Sequence, residues 1–216
     1  MPVLEDDPYG LVRYEGEAPP SLHELEGGAL VTYASSFSKT VAPGVRVGWF
    51  VAPAELAARI EARAVSNYIS PPFLTQATVF ELIARGGFEP NLERIRGLLK
   101  ARRDAMLSAL ARELAGAATW SEPDGGYFLW VDLPVDAGEL LAHAEAAGVT
   151  FVKGSDFFPV LASARSASAE ADADRAKIPE GAASRPGARS ARLAFSYASS
   201  SEIEAGVSTL ASLVRV

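Results

Sequence analysis

The sequence predicts an α/β protein, and three observations carry that expectation. In the first part of the 216-residue chain, short apolar segments ending in polar loops alternate with helical stretches. A long helical stripe follows, from about Asn91 to Leu114. Beyond it the pattern becomes a smaller α/β unit. The chain is expected to divide into residues 1–90, a long helix at 91–116, and a carboxyl-terminal unit at 117–216 with a low-complexity insertion at 162–190.

The elements follow in order. Val3-Leu4 reads as the end of a buried strand, Ala29 to Tyr33 as a second and Val45 to Val51 as a third. Between the first two, Gly16 to Gly28 is rich in Glu, Pro and Gly, with a short helix expected at Ser21 to Leu25. Pro53 opens a helix through Arg63, a residue type that suits a first turn. Ser70-Pro71-Pro72 breaks the chain before a helix over Phe73 to Arg85, which Gly86-Gly87 ends. In the long helix Leu92, Ile95, Leu98, Leu99, Met106, Leu107 and Leu110 form an apolar stripe. Arg94, Arg96, Lys100, Arg102, Arg103 and Asp104 fall mostly on other faces and read as solvated. Trp120 precedes a turn at Pro123 to Gly126, and Tyr127 to Leu133 is a strand with Phe128 and Trp130 on one face. A helix at Ala137 to Ala147 stops at Gly148, and Val149 to Val152 is a strand. Arg192 to Ser196 is the last strand, and Ser201 is expected to cap a final helix through Leu213. Residues 162–190 are mostly Ala, Ser, Arg, Asp and Glu, too polar to offset the entropy of ordering.

Composition narrows the function classes. A hydrophobic fraction of 49% suffices for a core, and no apolar run reaches the length of a membrane span. A net charge of -7 argues against a nucleic-acid footprint. The absence of cysteine excludes disulfides and thiolate metal sites. The amino terminus has no basic-then-apolar signal, so a cytoplasmic protein is expected, with no membrane, nucleic-acid or metal partner.

The run Ser35-Ser36-Phe37-Ser38-Lys39-Thr40-Val41-Ala42-Pro43-Gly44-Val45-Arg46-Val47-Gly48-Trp49 carries the chemistry. It places Lys39, one of only four lysines, in a polar loop between two apolar strands. A lysine beside Ser36, Ser38 and Arg46 suits a cofactor with both an aldehyde and a phosphate. The amine forms a Schiff base, while hydroxyls and guanidinium take phosphate oxygens. That is the chemistry of pyridoxal phosphate. Its ring nitrogen needs a carboxylate partner, and Asp6-Asp7-Pro8-Tyr9-Gly10 follows a strand end, where open α/β sheets bind ligands. Taken singly, each residue also has an ordinary reading. Lys39 could be a solvated loop lysine, Arg46 and Arg192 ion-pair partners, Asp6 and Asp7 turn residues, and Tyr9 packing. His23 and His143 receive no role.

The segments EDDPYG, SSFSKTVAPGVRVGWFVAP, PDGGYFLWVDLP and ARLAFSY, in that order, resemble the fold-type I pyridoxal-phosphate aminotransferases. Within them they resemble the class I/II branch of 2-aminoadipate and kynurenine-type enzymes. The resemblance covers residues 1 to about 161 and resumes near 190. It implies the carboxyl-terminal part of that fold: a remnant of the large mostly parallel sheet domain, the interdomain helix and the small domain. It implies that Lys39 forms the Schiff base, that Asp6 partners the pyridinium and that Tyr9 faces the phenolate oxygen. Ser36, Ser38 and Arg46 would hold the phosphate, and Arg192 would grip the substrate α-carboxylate. The expected activity is amino transfer between an α-amino acid and a 2-oxo acid, in a homodimer contacting through 66–76. Because Pro2-Val3-Leu4 starts inside a core strand, the chain reads as part of a longer enzyme. The rival readings are the effector domain of a pyridoxal-phosphate-binding transcription regulator and an inactive remnant.

Overall fold

The computed structural model describes residues 1–159 and 185–215, which form two compact units. Most of the expected insertion lies outside the described residues. The first unit comprises Met1–Ala101 with Asp124–Gly126, and the second Arg102–Pro123 with Tyr127–Val216.

The first unit is built on three strands, β1 (Val3–Asp6), β2 (Val31–Ser36) and β3 (Gly48–Val51), in that spatial order. β1 and β2 are parallel, with Val3 opposite Val31 and Asp6 opposite Ala34. β3 runs antiparallel to β2, with Gly48 opposite Ser36. Parallel pairing requires a crossover, and the connection contains α1 (Leu22–Glu26). That short helix is tied to the sheet at its start. Both oxygens of the Glu5 carboxylate accept from its first amides, Leu22 at 2.9 Å and His23 at 3.0 Å. Gly27 ends it in the left-handed conformation, with φ of 83°.

Two helices follow, α2 (Ala54–Asn67) and α3 (Phe73–Ala84). α2 extends one turn beyond the expected Arg63, because nothing in Ala64 to Asn67 disfavours helix before the Pro71-Pro72 break. α4 (Phe88–Leu114) starts two residues before Pro90, which is tolerated in a first turn where no intrahelical amide bond is lost. In the first unit the buried apolar side chains are Val12, Val31, Val79, Leu92 and Leu99. Residues 124–126 complete this unit: Asp124 O accepts from Tyr14 N and Glu15 N, and Gly126 N donates to Val12 O. A Cβ on Gly125 would stand 2.8 Å from the Arg13 Cα, so this approach requires glycine.

The second unit is a four-stranded antiparallel sheet in the order β4 (Thr119–Trp120), β5 (Phe128–Asp132), β7 (Ser190–Ala194), β6 (Val152–Lys153). Its helices include α5 (Ala137–Ala146) and α6 (Ser200–Val214). Leu110, Leu114, Leu129, Val131, Phe195, Ile203, Val207 and Leu210 fill the core. Three expectations shift here. Trp120 belongs to a strand, paired with Val131. The strand expected at Val149 to Val152 is confined to Val152–Lys153, since only those two residues find partners on β7. The final helix is capped by Ser199, not Ser201. The Ser199 hydroxyl accepts from Glu202 N, and the Glu202 carboxylate accepts from Ser199 N at 2.7 Å. No helix among the described residues is long and apolar enough to cross a membrane.

Candidate functional site

Because β1 and β2 are parallel, their carboxyl ends lie side by side. The residues that follow Asp6 and Ser36 therefore leave the same edge of the sheet. What leaves β1 is an acidic turn. Asp7 is consumed by the fold: its Oδ1 accepts from Gly10 N at 2.6 Å and Tyr9 N at 3.3 Å, and its Oδ2 accepts from the Tyr33 hydroxyl at 2.9 Å. A Cβ at Gly10 would lie 2.1 Å from that Oδ2, so the turn needs glycine there. Burial, then the Asp7 carboxylate, push the Tyr33 hydroxyl pKa up to about 12. Asp6, by contrast, is exposed, and its carboxylate takes no hydrogen bond among the described residues. The turn thus commits one carboxylate to structure and leaves its neighbour open.

What leaves β2 is a polar loop closed by hydroxyls. Ser36 Oγ donates to Ser38 Oγ at 3.0 Å and accepts from Ser38 N at 3.1 Å. An Arg46 terminal nitrogen donates to Ser38 Oγ at 3.1 Å. Arg46 does not lie on a strand, as its flanking valines suggest. It follows a 3-10 turn at Pro43–Val45 and takes the left-handed conformation, with φ of 49°, so β3 begins only at Gly48. Pro43 sets up that turn, and the positive φ directs the guanidinium to Ser38. Two hydroxyls, an amide and a guanidinium converge here, a donor set matched to a phosphate. Lys39 stands beside it, with Nζ 5.5 Å from the Tyr9 ring centroid.

The lysine loop is held from beneath by α4. Asn91 Nδ2 donates to Thr40 O at 2.8 Å, and the Phe37 and Phe88 rings meet edge-on at 6.0 Å. Thr40 is only 2% exposed, and its hydroxyl has no partner among the described residues. Sequence reasoning missed Asn91. An asparagine in the first turn of a helix carries no signal that it bonds a loop 51 residues earlier.

Arg192 belongs to the second unit. It lies on β7, opposite Trp130 on one side and Val152 on the other. Its guanidinium carbon is 4.1 Å from the Phe128 ring centroid and 4.9 Å from that of Phe157. Its Nε is buried without a hydrogen-bond partner. A guanidinium whose buried Nε lacks a partner is chemically suited to an anionic ligand.

A parallel strand pair whose carboxyl end carries a lysine beside hydroxyl, amide and guanidinium donors is chemically suited to a phosphorylated ligand beside an amine. The chain belongs to the aminotransferase class I and II family, whose model matches residues 1–163. It is 39% identical over 162 residues to the 2-aminoadipate transaminase of Thermus thermophilus, covering 72% of this chain and 40% of that protein. It superposes on the kynurenine aminotransferase of Pyrococcus horikoshii with a TM-score of 0.81 and 30% identity, covering 99% of this chain and 48% of that one. An HTH-type transcriptional regulator of Bacillus subtilis is 29% identical over 221 residues, covering 100% of this chain and 40% of the regulator. The expected likeness to aminoadipate and kynurenine-type aminotransferases is thus borne out. The chain spans about two fifths of its curated relatives and about half of the solved ones. Members of this family use pyridoxal phosphate, and the donors around Ser38 fit its phosphate.

Proposed function

We propose that this chain carries the cofactor-anchoring and carboxylate-binding residues of a pyridoxal-phosphate-dependent aminotransferase acting on α-amino acids and 2-oxo acids. One observation carries the reading: the Ser36–Ser38–Arg46 network lies in the same loop as Lys39, whose amine stands over Tyr9. When bound, pyridoxal phosphate supplies an aldehyde that captures amines and a protonated ring that draws electrons from the carbon bearing the amine. Ser36, Ser38 and Arg46 hold the phosphate, and Asp6 accepts the proton-bearing ring nitrogen as its hydrogen-bond donor. Asp7 is instead engaged in the turn, accepting from Tyr9 N, Gly10 N and the Tyr33 hydroxyl. Tyr9 donates its hydroxyl to the phenolate oxygen. Lys39 would anchor the aldehyde through Nζ and, when its amine is free, would move a proton at the substrate α-carbon. Arg192 takes the α-carboxylate through its guanidinium. A homodimer contact through 66–76 is part of the reading, supported by Tyr68, Ile69, Phe73 and Leu74 standing 59%, 81%, 82% and 77% exposed there.

A second reading, the effector domain of a transcription regulator, is favoured by the Bacillus subtilis match, which extends over the whole chain. Both readings require Lys39 to bind cofactor, and only the first requires turnover. The test is to incubate the chain with pyridoxal phosphate, reduce it with borohydride and map the modified lysine. Label at Lys39, lost in Lys39→Ala, supports the anchoring role. Label spread equally over Lys39, Lys100, Lys153 and Lys177 refutes it. Amino transfer from 2-aminoadipate or kynurenine then separates enzyme from regulator.

A further inference from the structure

This inference rests on the reading of Arg192 as the carboxylate ligand. On the sheet of the second unit, Trp130 is the cross-strand partner of Arg192, and Phe128 lies two residues earlier on the same strand. The three side chains therefore share one face, while Ala191 and Leu193 point into the core on the other. Phe157 joins them from the 3-10 turn Gly154–Phe157. The guanidinium lies over both phenyl rings, at 4.1 and 4.9 Å, and the Trp130 ring braces Phe157 edge-on at 5.5 Å and 73°. No carboxylate of the described residues pairs with Arg192, so ring faces, not ion pairs, set its orientation.

We propose that Phe128 and Phe157 are positioning residues for substrate. They fix the plane of the Arg192 guanidinium against two π faces, so that its N–H edge meets a carboxylate in two parallel hydrogen bonds. A carboxylate partner on the protein would hold the arginine equally well but would compete for that edge. Aromatic rings hold it through the face and leave the edge free. Trp130 acts one step further out, by limiting where the Phe157 ring can turn. The contribution depends on the quadrupole of the rings, so aliphatic residues of similar bulk cannot replace it.

The experiment titrates propionate into the purified chain and follows the Arg192 side-chain nitrogens by NMR. In the wild type, the terminal Arg192 nitrogens should show restricted rotation about the Cζ bond. Phe157→Leu and Phe128→Leu should release that rotation and weaken propionate binding roughly 2- to 30-fold. Phe157→Tyr, which keeps the ring, should behave as wild type. Phe157 is 47% exposed, so the Leu and Tyr variants at this position decide the matter even if Phe128→Leu fails to fold. Propionate binding lost in Arg192→Gln yet unchanged in both leucine variants would overturn the clamp and leave the carboxylate reading standing. Binding as tight in Arg192→Gln as in wild type would overturn the carboxylate reading itself.

Discussion

Asp6 and Asp7 are adjacent acids with different work. Asp7 accepts three hydrogen bonds from Tyr9, Gly10 and Tyr33, so its removal acts on the fold. Asp6 accepts none among the described residues and is open to a ligand. The family spacing to Tyr9 favours Asp6, and the hydrogen bonds add that Asp7 is engaged by the fold. The coupling to Tyr33 has a measurable consequence. Its pKa is raised from 10.0 to about 12, through burial first and then Asp7. A raised folded-state pKa means that the associated stability is complete below pH 10 and is lost as pH rises through about 12. In an ultraviolet titration, Tyr33 should therefore ionise near pH 12. In Asp7→Asn it should move back part of the way, since burial remains. A native Tyr33 that ionises at 10.0 would contradict this placement.

Elements were legible where periodicity is strong and shifted where partners decide. The long stripe of α4 could be read directly, because burial on one face imposes a repeat. Two-residue strands such as β4 and β6 carry no repeat and exist only through the neighbours that pair with them. Arg46 shows the same limit. Its valine neighbours mimic an alternating strand, yet Pro43 starts a turn whose exit places it at positive φ. At the start of α6, three serines in succession compete for the cap, and Ser199 holds it because Glu202 is three residues on. Ser199→Ala should cost about 1 kcal/mol of stability at neutral pH, measured by thermal or urea unfolding. The Ser199 hydroxyl and then its amide hold the Glu202 carboxyl below its usual 4.5. That contribution is present above pH 4.5 and is lost as pH falls through the lowered value, so the cost of Ser199→Ala should shrink in acid. An undiminished cost at low pH would mean that the reciprocal bond adds nothing.

Across the whole molecule, burial is uneven. The second unit closes its own core around Phe195, Leu129 and Leu210. In the first unit, α3 is rich in apolar residues but buries only Val79, leaving Phe73, Leu74 and Phe80 at 82%, 77% and 66% exposure. Leu4 on β1 and Phe50 on β3 are also open, at 68% and 48%. Apolar surface of this extent binds hydrophobic probes or other chains. The native chain should therefore enhance the fluorescence of anilinonaphthalene sulfonate, and the pair Phe73→Ser and Leu74→Ser should lower the signal while leaving the unfolding free energy within about 0.5 kcal/mol. Dye binding that is unchanged by the pair would place the exposed surface elsewhere.

The family, the α/β class, the long helix and the grouping of Ser36, Ser38, Lys39 and Arg46 in one loop were determined by the sequence alone, since each depends on residues near one another along the chain. Only the tertiary structure decided that Asp7 belongs to the fold, that Asn91 supports the lysine loop from 51 residues away, and that Arg192 is oriented by aromatic faces. These contacts join residues distant in sequence. No local pattern encodes them, and they form only when strands and helices close on one another.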